Sequence, residues 1–351
     1  MSLVIDNHVQ WLPEDFFTNA ALRQAYLACV PRAYDYAARE VTSPGGDLAM
    51  VAVEWPRGYG NLSITRLHAD PEERVATMAE AGIDRAILRV PVWQEWLDLE
   101  MCRRTNDAMA AYIKRHPNTF YGLGVVPPLG AKEALAEAER CIKDLGFVGM
   151  ELSSHYGVLY LDEPEYRPFF HKIEELGVPV NVHHSPLPVD YHQLLKNTNL
   201  RRAYGRLVEQ GTSVLRELFS DLFEECPTLK LIHAELGGAF FAIVDKVFPK
   251  SSRVWEETER FDLSEYEKLQ RYLRHNLYFD MFTPGAFGKA QLECAVRTLG
   301  APNLLFGSAY PIRRDWMLNA VEDIRSLAIS EDEKRSILGG NANELYKLQL
   351  Q

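Results

Sequence analysis

The chain has little cysteine and no pairing pattern for it. Cys29, Cys102, Cys141, Cys226 and Cys294 lie scattered along 351 residues without a C-x-x-C pair. That argues against a disulfide frame or a cysteine zinc site, and fits reduced thiols in a cytoplasmic protein. No apolar run approaches the roughly 18 residues of a membrane span, and the opening MSLVIDNH has no basic leader segment. Positive charge is in deficit: a net charge of −11 speaks against nucleic acid or an anionic membrane as partner and leaves a small molecule. Glycine-rich phosphate loops, G-x-S-x-G and H-E-x-x-H are also missing. FGSAYP lacks the glycine that a nucleophile elbow needs after Ser308.

What is present is a regular alternation. Apolar runs of strand length (LVIDNH, RAILRVPV, TFYGLGVVPP, GFVGMEL, GVPVNVHH, TLKLIHAEL, NLYFDMF, NLLFGSAYP) are separated by helical patterns. One helix opens at Asp70-Pro71 and closes at Gly82; others cover about 97–115, 131–145, 204–225 and 286–299, and one begins at Gly238. Eight strands alternating with helices predict parallel βαβ units closed into an α/β fold of the (β/α)8 TIM-barrel type, a single domain over 1–351. An open doubly wound sheet is the alternative, but its glycine-rich first turn is replaced by His-Val-Gln-Trp. Two stretches, 13–66 and 184–203, exceed ordinary loop length and are expected to cover the C-terminal mouth.

Strand parity then places the polar residues. If His8 faces the interior, strict alternation puts Asp6 and Gln10 there too. Asn181 and His183 share a face, His233 and Glu235 share a face, and Ala309 ends the last strand. Separate strands deliver His8, His183 and Glu235 to one place. His233 lies a layer deeper, as a buried partner or proton relay, and His155 joins the polar set. His68, His116, His171, His184 and His192 read as structural. Arg57, Arg313 and Arg314 fall on mouth loops as candidate anion anchors.

IDNHVQWLP, DPEERVATMAEAGIDRAIL, RRTNDAMAAYIKRHP, GFVGMELSSH, VPVNVHH, PTLKLIHAELGGAF, LLFGSAYP and ILGGNANELY together resemble the amidohydrolase superfamily, in the branch around aminocarboxymuconate-semialdehyde decarboxylase. The resemblance implies a metal held by His-x-His on strand one, a histidine on strand five and an aspartate on strand eight, with a catalytic histidine on strand six. This chain keeps His8 and His183, but has Gln10 for the second histidine, Glu235 for the catalytic one and Ala309 for the aspartate. A catalytic zinc needs about three protein donors, so the expectation is no metal cofactor. The alternative is a weakly bound divalent metal such as zinc on His8, His183 and Glu235.

The resulting expectation is a metal-independent enzyme acting on a small carboxylated, unsaturated or aromatic compound, foremost by non-oxidative decarboxylation, a carbon–carbon lyase reaction. Glu235 would be the acid/base, with His8 and His183 polarising a carbonyl or holding a carboxylate. Gln10, His155, His233, Arg57 and Arg313 would bind substrate. Hydrolysis, hydration, isomerisation or cyclisation, and a non-catalytic small-molecule-binding barrel, are the alternatives. A homodimer is compatible with all of them.

Overall fold

The first strand, Ile5–Gln10, pairs in parallel with Arg85–Arg89, and the ladder continues through Phe120–Gly124, Gly149–Ser153, Val180–His183, Leu231–His233, Leu277–Asp280 and Leu304–Leu305. Asn7 N donates to Phe306 O and Gln10 N to Tyr310 O, so the eighth strand meets the first and the sheet closes. This computed structural model describes residues 3–196, 198–248, 264–282 and 284–350. Helices follow the strands as the alternation predicts, and the local signals act where expected. Asp70 accepts from Glu73 N at 3.0 Å to start helix Pro71–Ala81, and left-handed Gly82 stops it.

The insertion at 13–66 is folded. Strands Ala37–Thr42, Leu48–Glu54 and Gly60–Thr65 form an antiparallel sheet. Its tip carries Trp55, stacked on Tyr36 (4.7 Å, 7° between planes) and packed against Tyr191 of the second insertion and His155 of the barrel. The insertions therefore do roof the C-terminal mouth.

Inside, the barrel is layered. Ile5, Ile87, Leu123, Ile232 and Leu305 form an apolar floor closed from below by Ala342 and Tyr346. Above it lie Asn7, Arg89, Glu151, Asn181 and Asp280, all buried. Asn7 Nδ2 donates to Asn181 Oδ1 and Asp280 Oδ2, both at 3.2 Å, and Arg89 Nε donates to Glu151 Oε1 at 2.7 Å. Buried charges of this kind are tolerated because each finds a partner.

Three expectations are corrected. A bulge between Asp6 and Val9 places two residues opposite one on the neighbouring strand, so strict alternation fails. Asn7 and His8 both meet interior groups, while Asp6 is tied to Ser308. On the sixth strand Ile232 and Ala234 face inward, and His233 points out to helix Gly205–Phe219. The helix expected from Gly238 is replaced by a left-handed run, Glu235 to Ala239 with φ of 51 to 70°, followed by short turns. Gly238 is required there: a Cβ would lie 2.0 Å from Leu207 O and 2.4 Å from Gly211 N.

Candidate active site

Above the polar layer, His8 and His183 face each other with ring centroids 5.6 Å apart. His183 Nδ1 lies 3.2 Å from Glu95 Oε1. His8 Nδ1 lies 2.7 Å from Asp280 Oδ2 and 2.8 Å from Arg89 Nη1. One nitrogen can serve only one of these; the carboxylate can only accept, so paired with Asp280, Nδ1 carries the proton. His8 is then left with a lone pair on Nε2, and the Nε2 atoms of both rings are buried and have no hydrogen-bond partner. Burial first, then the Arg89 charge, pushes His8 well below its ordinary pKa. The same causes, with His8 and Arg206 added, do so for His183. Both rings are neutral at pH 7 and able to donate a lone pair.

The surrounding charges also depend on burial. Asp280 is raised to about 6 by desolvation, against the opposing pull of Arg89 and of donors from Phe282 N and Asn7. Glu95 is pushed well above the carboxylate range by burial and by the nearby Glu151. Glu235, only 8% exposed, is raised to about 7 by burial, lowered in part by Arg206 and raised further by Asp280. Arg206 reaches this region from helix Gly205–Phe219, where Nη2 donates to Asn61 Oδ1 at 2.9 Å and Nε has no partner. Its own pKa falls through burial, offset by Glu235.

His155 occupies an aromatic slot formed by Trp55, Trp96 and Tyr160. Its Nδ1 donates to Glu209 Oε1 at 2.7 Å, while Nε2 has no partner. Glu209 also accepts from Ser154 Oγ and Tyr160 OH, so the ring is firmly oriented. Phe282 sets its edge on His8 at 4.7 Å and packs with Ala234 and Ala309. The position where the resemblance calls for an aspartate is thus a small apolar wall.

The other expected residues lie elsewhere. His233 has both nitrogens engaged, by Gln210 Oε1 and Glu217 Oε2, and faces the outer helix as a structural residue. Gln10 Oε1 accepts from His68 Nε2 at 3.3 Å. Arg57 is exposed on the insertion hairpin. Arg313 is exposed and paired with Asp315, and Arg314 is paired with Glu73 and Glu80. The donor atoms of His8, His183 and Glu235 do not all lie within 4.8 Å of one another, so the three-donor alternative is not assembled.

The sequence reading missed Arg89, Glu95, Glu151, Arg206, Glu209 and Asp280. Three of them had a signal. Arg89, Glu151 and Asp280 interrupt otherwise apolar strand runs, where a charge must find a buried partner. Glu95, Arg206 and Glu209 lie outside the strands and reach the site only through the fold.

With this geometry in place, comparisons with known proteins bear on it. The amidohydrolase family model matches residues 5–348. A gamma-resorcylate decarboxylase from Polaromonas sp. is 30% identical over 302 residues, covering 81% of this chain and 89% of that protein. The solved structure of 5-carboxyvanillate decarboxylase from Sphingomonas paucimobilis matches with a TM-score of 0.76 at 24% identity, over 99% of each chain. A dihydroxybenzoic acid decarboxylase from Polaromonas sp., solved with manganese and the inhibitor 2-nitroresorcinol, has a TM-score of 0.73 at 24% identity, over 100% of this chain and 98% of its own.

The bound manganese corrects the expectation of no cofactor: the related structures point to a divalent metal. Here the test is chemical. The unpartnered Nε2 atoms of His8 and His183, each behind an Nδ1 beside a carboxylate, are suited to hold a cation. Gln10 and Ala309 add no donor of comparable strength. Among the described residues no helix is long and apolar enough to cross a membrane. Matched over nearly its whole length by the family model and built on the decarboxylases' barrel, the chain is an enzyme of the amidohydrolase family.

Proposed function

We propose that the chain is a divalent-metal-dependent, non-oxidative decarboxylase of a small carboxylated aromatic or related unsaturated acid. The observation that carries the reading is the facing pair of imidazoles, His8 and His183, each with a buried Nε2 that has no hydrogen-bond partner; buried Glu235, whose charge is felt by Arg206 and which feels that of Asp280, supplies the acid. Held by these two nitrogens, a divalent cation supplies positive charge that stabilises negative charge on substrate oxygens. Buried Arg206 attracts an anionic substrate group. The carbon–carboxylate bond breaks, carbon dioxide leaves, and the electron pair stays on carbon. Protonated Glu235 donates its proton there and regains one from solvent. An acid with a pKa near the working pH is well matched to that transfer.

The test is carbon dioxide release from 2,6-dihydroxybenzoate, 5-carboxyvanillate and related hydroxybenzoates with manganese present. Turnover on at least one acid, reduced roughly 10²-fold or more in Glu235→Gln, is expected. Full turnover in that variant would remove Glu235 from the reaction, and no release from any of the acids would overturn the decarboxylase reading.

A further inference from the structure

The opposite end of the barrel carries a second cluster of donors. His171 and Glu174 lie one turn apart on helix Arg167–Leu176, and Cys226 caps helix Leu222–Glu225 just before the sixth strand. One ligand atom from each of these side chains lies within 4.8 Å of the other two. Glu174 also lines a cavity of about 480 Å³ with Pro179, Lys230 and Pro302, which precede three barrel strands. The cluster is therefore at the N-terminal face, away from His8 and His183.

We propose that His171, Glu174 and Cys226 form a binding site for zinc or a similarly thiophilic divalent cation. The His171 Nδ1 to Cys226 Sγ separation is 3.6 Å. Metal bonds of about 2.3 Å to sulfur and about 2.1 Å to nitrogen, at a tetrahedral angle, put these atoms about 3.6 Å apart. Glu174 Oε1 accepts from Thr228 N at 2.6 Å and from Thr228 Oγ1 at 2.7 Å. Those bonds fix the carboxylate beside the thiol, as outer partners of a metal ligand do. Burial is graded: Cys226 is buried, Glu174 half-buried and His171 exposed. Three protein donors would face one position open to solvent, and binding would release the Cys226 proton to water.

Thiolate selects zinc, cadmium or cobalt over manganese, so manganese should leave this site empty. A bound ion would tie helix Arg167–Leu176 to the segment that enters the strand leading to Glu235. This differs from a thiol–imidazole hydrogen bond, which would hold the same atoms together with no metal.

The distinguishing signal is thiolate-to-metal charge transfer, which the cysteine-free set at His8 and His183 cannot give. The full chain, stripped by a chelator, is titrated with cobalt and then cadmium and followed by ultraviolet absorption. A band saturating at one equivalent is expected in the parent and in Cys294→Ser, with none from manganese. Loss of the band is expected in His171→Gln and Cys226→Ser. His171 is exposed, so its variant keeps the test valid even if Cys226→Ser fails to fold. No band in the parent, or a full band in His171→Gln, would overturn the site and leave only the hydrogen bond.

Discussion

Gly307, in the FGSAYP stretch, is the position where one methyl group should do the most damage to the site. A Cβ there would lie 2.2 Å from Asp280 Oδ1, 3.0 Å from Asp280 Cγ and 2.9 Å from His8 Cβ. Ordinary contact begins near 3.4 Å, so in Gly307→Ala the Asp280 carboxylate must retreat by roughly 1 Å, given how steeply close contacts resist compression. It cannot do so freely. Asp280 accepts from Phe282 N at 2.7 Å, from Asn7 Nδ2 at 3.2 Å and from His8 Nδ1 at 2.7 Å. Overpacking costs about 1–3 kcal/mol, and a weakened hydrogen bond to a buried charge about 1.5–3 kcal/mol. Because one displacement causes both effects, we expect a total of about 2–4 kcal/mol rather than their full sum. Urea unfolding should show that loss as a lower midpoint at unchanged slope. Manganese affinity should fall as well, because His8 loses the partner that orients it. Gly340→Ala is the control: its Cβ would meet nothing closer than 3.4 Å, in a helical stretch where alanine is favoured by about 0.5–1 kcal/mol. Gly307→Ala with parental stability and parental manganese affinity would refute the layered packing inferred around Asp280.

The remaining expectations concern charge. Glu235 is raised from 4.5 to about 7, so its protonated form is favoured by the fold. Its contribution to stability is full below about 4.5 and lost as pH rises through about 7. Replacing it with Gln should therefore raise stability at pH 8 relative to pH 5; equal effects at both, measured by thermal unfolding, would contradict the shift. Arg206 faces Glu235, and Asp280 titrates near 6, so the activity profile should fall above pH 7 with some broadening. Arg206→Gln should raise KM roughly 10- to 100-fold, the worth of one hydrogen bond to a charged group, with kcat changed much less; an unchanged KM would remove it as an anchor. Chelation should abolish turnover and manganese restore it, and His183→Ala should lose the restoration. Full turnover in metal-free protein would refute the role given to the two imidazoles.

The sequence alone determined the alternation of strands and helices, because parallel strands buried on both faces must read as apolar runs. It also determined the start and stop of helix Pro71–Ala81, whose signals are local. It placed His8 and His183 at strand ends, and Asn181 and His183 on one face, because period-two alternation holds in a regular strand. Where the backbone departs from regularity, that inference fails. The bulge in Ile5–Gln10 turned His8 inward while Gln10 went to His68. On the sixth strand the interior face fell to Ile232 and Ala234, and the left-handed backbone at Glu235 took its side chain off that parity altogether. Nor could spacing along the chain show that Arg206 of an outer helix lies near Glu235, or that His171 lies beside Cys226. Those neighbourhoods arise from how helices pack on the closed sheet, and desolvation, which sets the protonation of His8, His183 and Glu235, depends on that packing rather than on adjacent residues.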